Sequence, residues 1–152
     1  ENHCPDVVRL SYTKKNPDGI ITKIIKDTNP SEMAHNSKVA PWTKLLRKDL
    51  FVPFPENTLF EDVVQHLAQS DVVETVVSTD FPVIEWNRCN PHSVSTEISP
   101  KRKSSAFRFV ADLMDLELTK DYTKERREVK IRDAVGNLGM DWDKIDWKKV
   151  CC

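Results

Sequence analysis

Two apolar stretches near the beginning of the chain lie on either side of a run of turn-forming residues. Residues 7–10 form one apolar stretch and residues 20–25 a second, and Asn16-Pro17-Asp18-Gly19 lies between them. Proline presets φ at a turn, and Asp-Gly accepts the positive φ that tight turns require. The pattern therefore predicts a strand–turn–strand unit within residues 1–30.

Residues 58–69 carry the clearest helical pattern in the chain. Thr58 and Glu61 have the spacing of a capping box, in which a hydroxyl and a carboxylate each satisfy an amide at the start of a helix. Apolar side chains then recur at the spacing of one helix face. These apolar residues are Leu59, Phe60, Val63, Val64, Leu67 and Ala68.

The remaining segments predict a small mixed sheet with packed helices, an α+β or α/β fold. A short helix is predicted over 41–48, strands over 50–53 and 72–86, and a helix over 123–138. Asp80-Phe81-Pro82 predicts a break that divides 72–86 into two strands. Residues 106–110 fit either a strand or part of a helix, and 87–105 is predicted as a long polar loop.

Composition excludes several classes of protein. The 152 residues contain 23 basic and 24 acidic side chains, a net charge of -1, which gives no strong signal for nucleic-acid binding. No apolar run approaches the roughly 18 residues of a membrane span. A glycine-rich phosphate loop is excluded, because the glycines are Gly19, Gly136 and Gly139.

The four cysteines are too few for a disulfide scaffold and favour free thiols in a reducing compartment. The predicted location is therefore intracellular, in the cytoplasm. Cys89 and His92 have the spacing of zinc ligands, but no second pair at ordinary spacing completes four ligands. No metal site is predicted, and a metal-assisted enzyme using Cys89 and His92 stays an alternative.

Residues 41–118 resemble a known type of regulatory unit. The resemblance is carried by residues 53–68, by Phe81-Pro82-Val83-Ile84-Glu85 and by residues 106–112, which end in Asp112. This order is similar to the cystathionine-β-synthase-type (CBS) domain. There, a proline-bearing turn and an amphipathic helix precede a strand that often begins Pro-Val.

The CBS resemblance implies a non-catalytic regulatory domain that senses an adenine nucleotide, AMP, ADP or ATP. By the family pattern, Asp112 accepts hydrogen bonds from ribose hydroxyls and the backbone near Val52 borders the adenine. We further expect Lys101, Arg102 and Lys103 to meet the phosphates. A ligand of this kind acts by preferring one state of the attached protein.

Two alternative functions do not involve an adenine nucleotide. The charged tail at 119–152 carries Trp142 and Trp147, and aromatic residues often anchor interfaces. This favours a structural or adaptor subunit that docks a protein partner or its own parent polypeptide. The metal-assisted enzyme is the other alternative, although no convincing catalytic set is found and a non-enzymatic role is favoured.

Overall fold

The computed structural model describes residues 4–35, 40–58, 60–87 and 100–137, without the side chains of 100–104, and has a mixed α+β fold. The strands are β1 (Val7–Asn16), β2 (Gly19–Lys23), β3 (Lys44–Leu46) and β4 (Val76–Asn87). The α-helices are α1 (Pro30–His35), α2 (Glu61–Val72), α3 (Pro100–Met114) and α4 (Asp121–Asn137). No helix among these residues is long and apolar enough to cross a membrane.

Strand β1 is paired with each of the other three strands. It runs antiparallel to β2 and β3 and parallel to β4. The predicted strand–turn–strand unit is confirmed by β1 and β2. Gly19 closes the turn with a φ of 142°, a value that residues with a Cβ rarely adopt.

The three longest helices enclose the larger of two apolar clusters. Its buried members are Val64, Leu67, Phe109, Val110, Leu113, Ile131, Ala134 and Val135. The smaller cluster lies where α1 and the end of α2 meet the sheet, and consists of Val7, Met33, Val73 and Val76. Helix α4 therefore belongs to the main core, and the described part of the 119–152 tail is not a separable appendage.

A buried carboxylate joins α2 to α4. The Asp71 carboxylate accepts hydrogen bonds from the backbone amides of Thr119 and Lys120, both at 2.9 Å, and from the Thr123 hydroxyl at 2.6 Å. Burial alone would raise the pKa of Asp71, but the bonds from Thr123, Lys120 and Thr119 together lower it. Asp71 thereby provides an acceptor for the two backbone amides that immediately precede α4.

Helices α2 and α4 agree with their predicted positions to within three residues, but the capping box is wrong. Phe60 precedes α2 with a left-handed φ of 67° and makes no side-chain cap. The Thr58 hydroxyl donates to Asp112 of α3 instead. Thr58 therefore bonds to a distant residue of α3 and not to the first turn of α2.

The strand predicted at 50–53 is wrong. Residues 48–50 form a 3-10 turn, and the chain to residue 55 has no regular structure. Two glutamines of α2 take the place of a neighbouring strand. Gln69 donates to the Leu50 carbonyl at 2.8 Å and accepts from the Val52 amide at 3.1 Å, and Gln65 donates to the Val52 carbonyl at 3.2 Å.

The helix predicted over 41–48 is also wrong, since a single 3-10 turn at Pro41–Thr43 leads directly into β3. Strand β4 begins later than predicted and runs through Pro82 without a break. The irregularity appears instead as register shifts around Ser11 of β1.

At 106–110 the helical alternative is correct, because these residues lie inside α3 and direct Phe109 and Val110 into the core. The predicted loop at 87–105 is wrong at both ends. Asn87 is the last residue of β4, and Lys101, Arg102 and Lys103 lie in the first turn of α3.

Candidate functional site

A lysine of β3 contacts a histidine of α2 and interacts electrostatically with an aspartate of the same helix. Asp62 and His66 are one helical turn apart on α2, and the Nζ of Lys44 on β3 lies 2.9 Å from Nδ1 of His66. The other ring nitrogen of His66, Nε2, lies 2.8 Å from the carbonyl oxygen of Met33. A carbonyl only accepts, so Nε2 carries the proton and Nδ1 accepts from Lys44. We call Lys44, Asp62 and His66 the acid–base cluster.

Burial shifts the pKa of every member of the acid–base cluster toward the neutral form. It lowers the pKa of Lys44 to about 7, helped by the charge of Arg9 and opposed by that of Asp62. Burial, and then the charge of Lys44, also lower the pKa of His66. Burial, and then Glu61, raise the pKa of Asp62. Groups with shifted pKa values that lie together are typical of functional sites.

Two further cations surround the acid–base cluster. Arg9 of β1 is the cross-strand partner of Lys44 and is fully buried in an ion pair with Asp27 at 2.7 Å. Lys130 of α4 acts electrostatically on both Asp62 and His66, and burial lowers its own pKa. Lys44, Arg9 and Lys130 thus lie near the half-buried Asp62 carboxylate, and the charge of Arg9 is offset by its ion pair with Asp27.

A strained residue fixes the start of α2 beside the acid–base cluster. A left-handed φ is a true outlier for a bulky residue such as Phe60. The Phe60 ring packs against Phe109 at a centroid distance of 5.6 Å, which holds this conformation. Strain of this kind persists where the surrounding structure imposes it, and it is common at functional sites.

Three aromatic rings, from β1, β4 and the turn before β3, pack together, and we call them the three-ring cluster. The ring of Trp42, two residues before Lys44, is 5.4 Å from that of Tyr12 and 6.0 Å from that of Trp86. Tyr12 is buried, whereas Trp42 is 37% exposed.

A separate groove of about 210 Å³ lies between α2, α3 and the irregular segment after β3. It is lined by Val52, Pro53, Phe54, Pro55, Val64, Gln65, Ala68, Asp112, Asp115 and Leu116. Val52 and Asp112, the residues assigned to adenine and ribose, thus line the same groove. Its charged lining residues are two aspartates, which disfavour a phosphate chain.

Both carboxylate oxygens of Asp112 already have partners. The Arg108 guanidinium donates to one oxygen at 2.9 Å, and the Thr58 hydroxyl donates to the other. A ribose would have to share these oxygens. The assignment of Asp112 and Val52 to a nucleotide stays a prediction.

The other predicted functional residues are not placed by the structure. The side chains of Lys101, Arg102 and Lys103 lie outside its description, as do residues Trp142, Trp147, Cys89 and His92. Within the described ranges, no three His, Cys, Asp or Glu side chains are grouped to hold a metal ion.

Sequence reasoning missed the acid–base cluster altogether. Lys44 lies in the segment predicted as a helix over 41–48, and Asp62 and His66 lie in the second predicted helix, at 58–69, where only the apolar positions carried the prediction. The signal that was present is local: Asp62 and His66 are four residues apart, so one helix face carries both. Lys44 joins them only because β3 pairs with β1.

No protein-family model and no curated protein sequence matches the chain. Two solved structures of S. aureus TarS residues 1–349 are similar in fold. The complex with UDP-GlcNAc has a TM-score of 0.58 at 14% sequence identity, covering 88% of this chain and 41% of that one. The complex with UDP has a TM-score of 0.53 at 15% identity, covering 88% and 39%. The chain thus spans about two fifths of the TarS fragments, and the likeness is one of fold.

Proposed function

We propose that the chain forms part of a domain that binds a nucleotide sugar and transfers its glycosyl group to a hydroxyl. The observation that carries the proposal is the acid–base cluster, in which Lys44 contacts His66 and interacts electrostatically with Asp62. The fold shared with TarS, solved with UDP-GlcNAc, supports the choice of ligand.

The first step of the proposal is recognition of the diphosphate. Lys44 is desolvated, so it gains more from a phosphate than an exposed lysine gains. Lys130 and Arg9 add positive charge at the same place. His66 accepts one hydrogen of the Lys44 amine and so directs the remaining donors.

The second step uses the carboxylate of Asp62. An acceptor hydroxyl attacks the anomeric carbon, and the bond from that carbon to the diphosphate oxygen breaks. Asp62 accepts the hydroxyl proton, and the nucleoside diphosphate leaves with its electron pair beside Lys44. A raised pKa makes the carboxylate a stronger base, and a positioned base contributes about 10²–10⁴-fold to rate.

The groove lined by Val52 and Asp112 favours a second candidate, the regulatory adenine-nucleotide domain. Its apolar walls fit a base and Asp112 fits a ribose. Such a ligand would bind away from the acid–base cluster. Variants of Lys44 and of Asp112 therefore distinguish the two candidate functions.

Titration calorimetry of the folded 152-residue chain with UDP-GlcNAc, UDP, AMP, ADP and ATP tests the proposal. We expect UDP-GlcNAc and UDP to bind, K44M to weaken both, and D62N to abolish transfer of GlcNAc to a saccharide acceptor while binding persists. The controls K23M, at the end of β2, and D18N, in the β1–β2 turn, change exposed groups and should behave as wild type.

Three results would count against the nucleotide-sugar proposal. These are absence of UDP-GlcNAc binding at millimolar concentration, equal loss in K44M and K23M, or full transfer activity in D62N. Binding of AMP, ADP or ATP that Asp112→Ala removes would establish the regulatory candidate instead.

A further inference from the structure

Two basic side chains of α4, Arg126 and Lys130, are partly buried and lie one helical turn apart. Among the described residues neither of them makes a hydrogen bond or an ion pair, and the Nε of Arg126 is buried without an acceptor. Side chains four residues apart on a helix are neighbours, about 5–6 Å apart at Cβ. We call Arg126 and Lys130 the α4 cation pair.

Without an anion, the α4 cation pair opposes folding. A buried donor that has no acceptor costs free energy, and like charges at this spacing on a helix destabilise it. The pKa of Lys130 reflects both burial and repulsion, because burial and then the charge of Arg126 lower it, against the effects of Asp133 and Asp62. An anion bound to both side chains would satisfy the Arg126 donor and offset the repulsion.

The α4 cation pair is electrostatically linked to the acid–base cluster. Helix α4 packs against both α1 and α2. The charge of Lys130 acts on His66, whose Nδ1 lies 2.9 Å from the Nζ of Lys44. His66 thus contacts a lysine of β3 and is within electrostatic reach of a lysine of α4. A diphosphate carries two linked anionic groups, which matches two sets of cations placed in this way.

We propose that Arg126 binds one phosphate group of a diphosphate, with Lys130 as a second donor to the same group. A guanidinium presents parallel N–H donors that match the oxygens of a phosphate, whereas an ammonium acts as a point charge. The inference rests on the proposed function, in which Lys44 binds the diphosphate, and adds the residues of α4 that recognise it. The diphosphate belongs either to a nucleotide or to free inorganic pyrophosphate.

Titration calorimetry of the folded 152-residue chain with UDP and with inorganic pyrophosphate distinguishes these sources. We expect R126M to weaken both about 10- to 100-fold, the range of one charge-assisted hydrogen bond. R126K should weaken them less, because it keeps the charge but loses the parallel donors. The matched control is R132M, which removes an exposed arginine of the same helix and should bind as wild type does. Tighter binding of UDP assigns the site to a nucleotide, and tighter binding of pyrophosphate assigns it to the free anion.

Urea unfolding in phosphate-free buffer separates a binding role of Arg126 from a structural one. Methionine keeps the apolar stem of the side chain and removes the unpaired charge. R126M should therefore unfold about 0.1–0.3 M later than wild type, from the loss of like-charge repulsion. A structural arginine would give the opposite shift.

The proposal is overturned if R126M binds both probes as wild type does, if R132M loses as much affinity, or if R126M unfolds earlier than wild type. It is also overturned if wild type binds neither UDP nor pyrophosphate. Binding of UDP that K44M weakens and R126M does not would keep the proposed function and remove this inference. Pyrophosphate binding that R126M weakens, without any binding of UDP-GlcNAc, would uphold the role of Arg126 and remove the proposed function.

Discussion

Removing the carboxylate of Asp27 should leave the guanidinium of Arg9 buried without the anion that pairs with it. Arg9 is 0% exposed, and its Nε lies 2.7 Å from Oδ2 of Asp27, which is 7% exposed. Asp27 itself lies just before α1, in the segment that follows β2. The pair therefore holds this segment against the centre of the sheet.

The magnitude follows from the burial of both partners. Breaking a buried ion pair by removing one member costs about 3–5 kcal/mol, because the remaining charge has lost its solvent and its partner. An exposed pair is worth about 0–1 kcal/mol. Arg47–Asp49, with side chains 45% and 64% exposed, is the matched exposed pair in this chain.

Urea unfolding of D27A and D49A measures the difference. With a slope of about 2 kcal/mol per molar urea, D27A should unfold about 2 M earlier than wild type. D49A should unfold within about 0.5 M of wild type. The double variant R9M/D27L removes both charges and should recover much of the loss.

Equal midpoints for D27A and D49A would refute the reasoning, since the buried charge would then carry no penalty. A double variant less stable than D27A would refute it as well. That result would mean that Arg9 stabilises the fold through contacts other than its pair with Asp27.

Further outcomes are expected at four residues. Asp71→Asn should cost about 2–4 kcal/mol in urea unfolding, because the amides at the start of α4 lose a charged acceptor. Folding lowers the pKa of Asp71, so its contribution to the free energy of unfolding is present above its unfolded pKa of about 3.9 and is lost as pH falls through the folded pKa. The free energy of unfolding of D71N should therefore change less with pH in the acid range than that of wild type. Leu113→Ala should cost about 2–5 kcal/mol, because Leu113 is fully buried in the main cluster. Gly19→Ala should cost about 1–3 kcal/mol through backbone strain alone, since no heavy atom lies within 4 Å of the added methyl. Diphosphate binding should raise the pKa of Lys44 from about 7, so calorimetry in buffers of different ionisation enthalpy should detect uptake of about half a proton at pH 7, absent in K44M.

Local patterns in the sequence predicted those elements that are stabilised by local features. The turn before Gly19 and the apolar spacing of α2 and α4 are examples, and each was confirmed. The errors lie where distant residues supply the partners. Residues 50–53 bond to glutamines of α2, and Lys44–Leu46 becomes a strand only by pairing with β1.

The candidate site was less accessible to sequence reasoning than the fold. Lys44, Asp62 and His66 are ordinary polar residues within their own segments, and their pKa values shift only after folding buries them together. No spacing rule joins residue 44 to residue 66. The prediction at Asp112 and Val52 did find two residues of one groove, without showing what fills it.

Because β1 pairs with each of the other three strands, the sheet is completed only after β4 has been synthesised. β1 and β2 are close in sequence and can form a hairpin within about 1–10 μs. The parallel partner of β1 ends at Asn87, so at a synthesis rate of about 5–20 residues per second it emerges roughly 4–14 s after Asn16. During that interval the edge of β1 that later pairs with β4 has no partner strand. The nascent chain should therefore depend on a chaperone, or on rapid synthesis through β4, more than its stability after folding would suggest.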